Sequence, residues 1–251
     1  MPTSASKSKA ATASKTKDSM ATAARRVLQH PDVNQQGQAL GRKGQLTRQR
    51  LIEAAEKLLH TKRLRDLRQA DVCRVAKVSP PAFYVYFPDI ETLVLEAIAI
   101  NQVIPDELQQ LLDEIWEPSA IFSKARAFVL SYVTYWDKHY HVLKARNLAA
   151  DEGDPRVHEL RFSVQVPIME RLAEKISEGQ QLSGDNSLAP VAGASVIMSS
   201  LERLAATMRF SIGNDPRADM TINDLIDAEA WILTKMIGGT QPPYRTTATE
   251  Q

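Results

Sequence analysis

From Arg42 onward, apolar residues recur at helical spacing with almost no interruption, which leaves little room for any fold but a bundle of α-helices. Leu51, Ile52, Ala55, Leu58 and Leu59 form one stripe and predict a helix from about Thr47 to His60, with Thr47 as its N-cap. A second helix is expected over about Gln69 to Ala76, burying Val72, Val75 and Ala76, and a short third from Pro80 to Tyr86. A fourth begins near Asp89, turns Ile90, Leu93, Val94, Ala97 and Ile98 inward, and ends before Pro105. Further helical windows run over roughly 105–116, 120–138, 140–150, 155–181, 188–211 and 221–238, with prolines and glycines mostly in or beside the gaps. No run alternates with β-branched enrichment, so the expected fold class is all-α: a small three-helix head and connecting helix, then a larger bundle.

Charge divides the chain in a way the net value of +1 conceals. Residues 1–50 hold ten Lys/Arg against two Asp/Glu, and residues 51–88 hold seven against four. Residues 89–251 reverse the balance, with fourteen against twenty-four. A basic end on an acidic body points to a polyanion partner for the first part only. Residues 1–40, rich in Ser, Ala, Thr and Lys, are expected to be a disordered basic tail, and 241–251 a disordered C-terminal tail. The acid-poor start shares its composition with transit peptides but is low in Arg, and Met1 to Lys17 has no apolar stretch for a secretory signal. No apolar run approaches the ~18 residues of a membrane span. The single cysteine, Cys73, excludes an internal disulfide and a multi-cysteine metal site, and fits a reducing compartment. The expected location is cytoplasmic.

The segment Asp71–Phe87 carries the strongest signal. Two short helices separated by about three residues, with apolar positions at 72, 75, 76, 78, 83 and 87, describe a helix-turn-helix. Val78 plugs the angle between the helices. Ser79 is placed to cap the second, its hydroxyl bonding the Ala82 N–H. Pro80 and Pro81 occupy the first two helical positions, where a missing N–H costs nothing. Pro81 disfavours helical geometry at Pro80, which opens the entry slightly.

Val72, Cys73, Ala76, Val78, Ser79, Phe83, Tyr84 and Phe87 resemble the pattern of the TetR family of transcriptional regulators, over about residues 47–98. The run Pro80–Pro88 is similar to the mycobacterial EthR subgroup, with faint similarity at Glu202, Arg203 and Trp231. The resemblance implies a helix-turn-helix domain over 41–98, a ligand-binding and dimerisation domain over 99–240, and a DNA-binding regulator, more a repressor than an activator. Three positions depart from the family pattern. Lys77 replaces the turn glycine, at a cost on the order of 1 kcal/mol if left-handed. Tyr86 replaces a histidine, and Ile90 replaces a phosphate-gripping lysine. Weight for DNA contact therefore shifts to Arg42, Lys43, Thr47, Arg48, Lys77, Ser79, Tyr84 and Tyr86, with Pro80, Pro81 and Ala82 at the duplex. The second helix lacks groups for bidentate base contacts, so thymine methyls and DNA shape are the expected determinants, with phosphates supplying most of the affinity.

Two heads at fixed spacing call for a two-fold homodimer on a palindromic site. The windows 188–211 and 221–238 are the candidates for its interface, and an intramolecular bundle face is the competing reading. Aromatic residues gather in the middle of the chain. An apolar effector site is expected from Trp116, Phe128, Tyr132, Trp136, Phe162 and Trp231, with Glu202 as a polar anchor, although such a stripe is more often plain core. An enzyme is disfavoured: His139 and His141 are two apart and face different sides of a helix, and no nucleophile, zinc or phosphate-loop motif is present. No cofactor or metal is expected. A helical adaptor that docks protein partners without DNA is the alternative, and it leaves the basic head unexplained.

Overall fold

The computed structural model describes residues 38–184, 188–211 and 221–238. The expected tails fall almost wholly outside these residues. Ten α-helices and no strand occur among them: α1 Arg42–Leu59, α2 Gln69–Ala76, α3 Pro80–Tyr86, α4 Ile90–Asn101, α5 Asp106–Asp113, α6 Ile121–Lys138, α7 Tyr140–Asp151, α8 Pro155–Ser183, α9 Pro190–Ser211 and α10 Ile222–Met236. A 3-10 turn at Leu64–Asp66 joins α1 to α2. None of the described helices is long and apolar enough to cross a membrane.

The chain forms two compact units. The first holds residues up to Val103 together with 139–164. α4 explains this composition. Leu93, Val94, Leu95, Ala97, Ile98 and Ala99 are all buried, so its apolar surface runs nearly all the way round and must be covered on more than one side. α1 packs on it, and so does α7, which adds Val142, Ala149 and Ala150 to the core formed with Leu51, Val72 and Phe83. Residues 139–164, which sequence alone groups with the 99–240 body, therefore pack with the head. A buried polar network supports the join: Arg146 donates to Gln102 Oε1 (3.3 Å), and Gln102 donates to the Leu160 carbonyl (3.1 Å). Asp89 caps α4 by accepting from Thr92 N–H at 2.7 Å.

The second unit holds 104–138 and 165–251, with α6 packed against α5, α9 and α10. α6 is one-faced: Ile121, Ala125, Phe128, Val129, Tyr132 and Trp136 recur at helical spacing and are buried. Arg126 pairs with Asp227 of α10 at 2.6 Å. A reciprocal capping box between Thr221 and Asp224 starts α10. Gly179 of α8 lets the chain approach Ile237 closely; a Cβ there would lie 1.7 Å from the Ile237 carbonyl oxygen.

Candidate nucleic-acid interface

The second helix of the helix-turn-helix is α3, and its sequence explains its two faces. Ser79 has the extended backbone an N-cap needs (φ −71°, ψ 150°), and Pro80 and Pro81 open the helix. The expected Ser79 hydroxyl bond to Ala82 N–H is absent; only the Ser79 carbonyl engages the helix, accepting from Phe83 N–H at 3.1 Å. With two prolines removing the first two donors, little is left for the hydroxyl to satisfy, and Ser79 is exposed with Pro80 and Pro81. On the inner face Phe83 and Phe87 are buried, with ring centroids 5.9 Å apart. On the outer face Tyr84 is 53% exposed and Val85 36%. Tyr84 is oriented: its hydroxyl donates to Gln69 Oε1 on α2 at 2.9 Å, and its ring meets Phe83 edge-on. Ala82 and Tyr86 are half-buried.

The turn before α3 adopts the left-handed conformation the sequence requires of it. Lys77 has φ 55° and ψ 45°, and Val78 N–H reaches back to the Cys73 carbonyl at 3.0 Å, as in a Schellman closure of α2. Lys77 is exposed. Asp71, in the first turn of α2, accepts from Lys62 (2.5 Å) and Arg74 (3.2 Å), and these bonds, the Lys62 one foremost, hold its carboxyl below the usual range.

α1 begins five residues earlier than its apolar stripe indicates. Gly41 is its N-cap, and Thr47 is not: Thr47 lies inside the helix, its hydroxyl donating to the Lys43 carbonyl at 2.9 Å. Arg42 and Lys43 are exposed on the first turn, and Thr47 is half-buried. Arg48 departs most from its expected role. It is only 7% exposed, is ion-paired with Glu96 of α4, and lies 5.1 Å over the Phe87 ring. Its charge is directed into the core rather than toward a phosphate. Burial pushes the Glu96 carboxyl up despite the pull of Arg48. Arg48 thus braces Phe87, the residue that ends the recognition helix.

Residues expected around an effector do not converge on one described cavity. Phe128, Tyr132 and Trp136 are fully packed in α6, and Trp116 is buried with its Nε1–H bonded to the Leu111 carbonyl at 2.7 Å. Glu202 is buried on α9. Trp231 is 39% exposed and lines a cavity of about 310 Å³ with Leu188, Ile232 and Met236. Phe162 belongs to the other unit, half-buried against His158 at 4.5 Å. His141 stacks on His60 at 4.0 Å, whereas His139 Nδ1 lies 2.9 Å from Asn101 Oδ1, so the two histidines turn to different neighbours. The Gln69 contact that fixes Tyr84 is not signalled by any local spacing in the sequence.

Two family models match the chain. The model described as bacterial regulatory proteins of the tetR family matches residues 51–97, and the tetracyclin repressor-like C-terminal domain matches 108–219. Among solved structures, the fatty acid degradation regulator FadR from Bacillus halodurans is similar with TM-score 0.55 at 14% identity, over 80% of this chain and 98% of that one. A TetR/AcrR-family regulator from Thermobifida fusca is similar with TM-score 0.50 at 16% identity, over 78% and 98%. At these identities the structural likeness speaks for the fold. No curated protein sequence matches the chain, and the matches reach the TetR family rather than the EthR subgroup within it. The family matches favour a DNA-binding regulator over a protein-docking adaptor or an enzyme. With its helix-turn-helix and its C-terminal helical domain both matched, the chain belongs to the TetR family of transcriptional regulators.

Proposed function

We propose that the chain is a repressor that holds a palindromic operator as a homodimer and is released when a small, largely apolar effector occupies its body. The observation that carries the DNA-binding face is the division of α3: Phe83 and Phe87 anchor it, while Ser79, Pro80, Pro81, Tyr84 and Val85 remain accessible. Arg42, Lys43, Thr47, Lys77 and Ser79 are assigned to phosphates. Pro80, Pro81, Ala82, Tyr84 and Tyr86 are assigned to the groove, where they read thymine methyls and duplex shape. Operator scanning tests this: uracil in place of thymine should weaken binding more than 7-deazaguanine in place of guanine. The reverse order refutes the assignment.

The homodimer reading is supported by the apolar side chains left outside on the last helices: Leu182, Val191, Val196, Trp231 and Ile232 are all exposed in the single chain. Small-angle scattering at micromolar concentration should give twice the chain mass, and a monomer refutes it. Release by effector is a shift in population whose size is the differential affinity of the ligand for the two states, typically 1–3 kcal/mol. The aromatic side chains of α6, with Trp116, Phe162, Glu202 and Trp231, are the candidates for ligand contact. A tight-binding apolar ligand that leaves operator affinity unchanged contradicts this part. A regulator of this kind acts where the DNA is, in the cytoplasm.

A further inference from the structure

A cavity lies inside the unit that carries the head, and none of the residues assigned to the effector lines it. It encloses about 580 Å³ between the 3-10 turn, the first turns of α4, and the turn from α7 to α8. That volume is in the range of small-molecule sites. Its floor is apolar, from Leu64, Leu67, Ile90, Val94 and Val157. Its far wall is a fixed turn. Gly153 sits at φ 92°, where an L side chain is strained, and the turn closes through Gly153 N–H to the Ala150 carbonyl and Asp154 N–H to the Ala149 carbonyl, each 3.0 Å.

The rim decides what such a cavity would hold. Arg156 donates to Asp154 twice, from Nε at 3.2 Å and Nη2 at 3.0 Å, and Arg65 faces Glu152 at 4.0 Å. Each rim cation therefore already has a carboxylate. Glu91, exposed on the first turn of α4, adds a third carboxylate. Arg156 feels the charges of Asp89 and Glu91, but that guanidinium is committed to Asp154. A cleft with an apolar floor and one surplus carboxylate among its lining residues complements a molecule with a hydrocarbon body and a single positive head. We propose that this cavity is a second small-molecule site, for an amphiphilic monocation of the alkylammonium class. The proposal does not depend on the DNA-binding or effector-release readings, and it can fail without them.

The test is a titration of the full-length, methyl-labelled protein with octylammonium, octanol and octanoate below micelle formation. Octylammonium should shift the methyl signals of Leu64, Ile90, Val94 and Val157 saturably, and bind more tightly than octanol, with octanoate weakest. Glu91→Gln should weaken octylammonium about fivefold, the upper range for an exposed ion pair, and leave octanol unchanged. Thermal melting of the variant checks that its fold is retained. Absence of saturable shifts, shifts confined to methyls outside the cavity, octanoate binding as well as octylammonium, or an unchanged affinity in Glu91→Gln would each overturn the proposal.

Discussion

The recognition helix α3 and the central helix α6 are both rich in aromatic residues, yet they place them in opposite ways. Phe128, Tyr132, Tyr135 and Trp136 of α6 all turn inward. In α3, Phe83 is sealed while Tyr84, the next residue, stands in solvent, held by a hydrogen bond to Gln69 rather than by packing. A helix packed inside a unit concentrates its aromatics on one stripe. One that must meet a partner keeps a single anchored face and presents a second, ordered by local bonds. The same contrast separates the cations of the head: Arg48 faces the core, whereas Lys77 and Lys43 face water.

Substitutions on either helix test this contrast. Phe128→Ala should cost about 4 kcal/mol of stability in chemical denaturation, as expected for an aromatic removed from a closed core, while the folded fraction keeps its duplex affinity. Arg48→Ala should cost about 3 kcal/mol, because it strands the half-buried Glu96 carboxylate. With its folded-state value raised further above the unfolded one, Glu96 favours the protonated form in the native state. The deficit of the variant should therefore be full at neutral pH and shrink as pH falls toward the ordinary glutamate range, which urea melts at pH 7 and pH 4.5 would show. Lys77→Gly should gain about 1 kcal/mol by relieving the left-handed strain. If Lys77 grips a phosphate, the same change lowers the slope of log affinity against log salt by about 1. Tyr84→Ala should move stability by less than about 0.5 kcal/mol and yet remove about 1 kcal/mol of duplex affinity, measured by fluorescence anisotropy.

Much of the fold could be read in the sequence. α2 and α3 occupy the predicted spans, because Ser79, Pro80 and Pro81 set a boundary that no tertiary contact displaces. The start of α1 could not, since the apolar stripe begins at Leu51 and the preceding turns expose even Leu46. The burial of Arg48 depends on Glu96, forty-eight positions away, and no local spacing reports such a pairing. The α3 face was legible because prolines and a serine cap fix which residues point outward. Whether the aromatic stripe of α6 fills a core or lines a cavity was not, because the two share one helical period.

The most direct test of the central claim, that the proline-led α3 lies against DNA, is the salt dependence of duplex binding by the full chain and by Val85→Asp. Val85 is at the surface, so the added carboxylate should leave the melting temperature unchanged. Binding by the parent protein should depend steeply on salt, and the variant should lose at least tenfold in affinity at every salt concentration. Equal affinities for the two proteins, or a parent protein that ignores duplexes at low ionic strength, would contradict it.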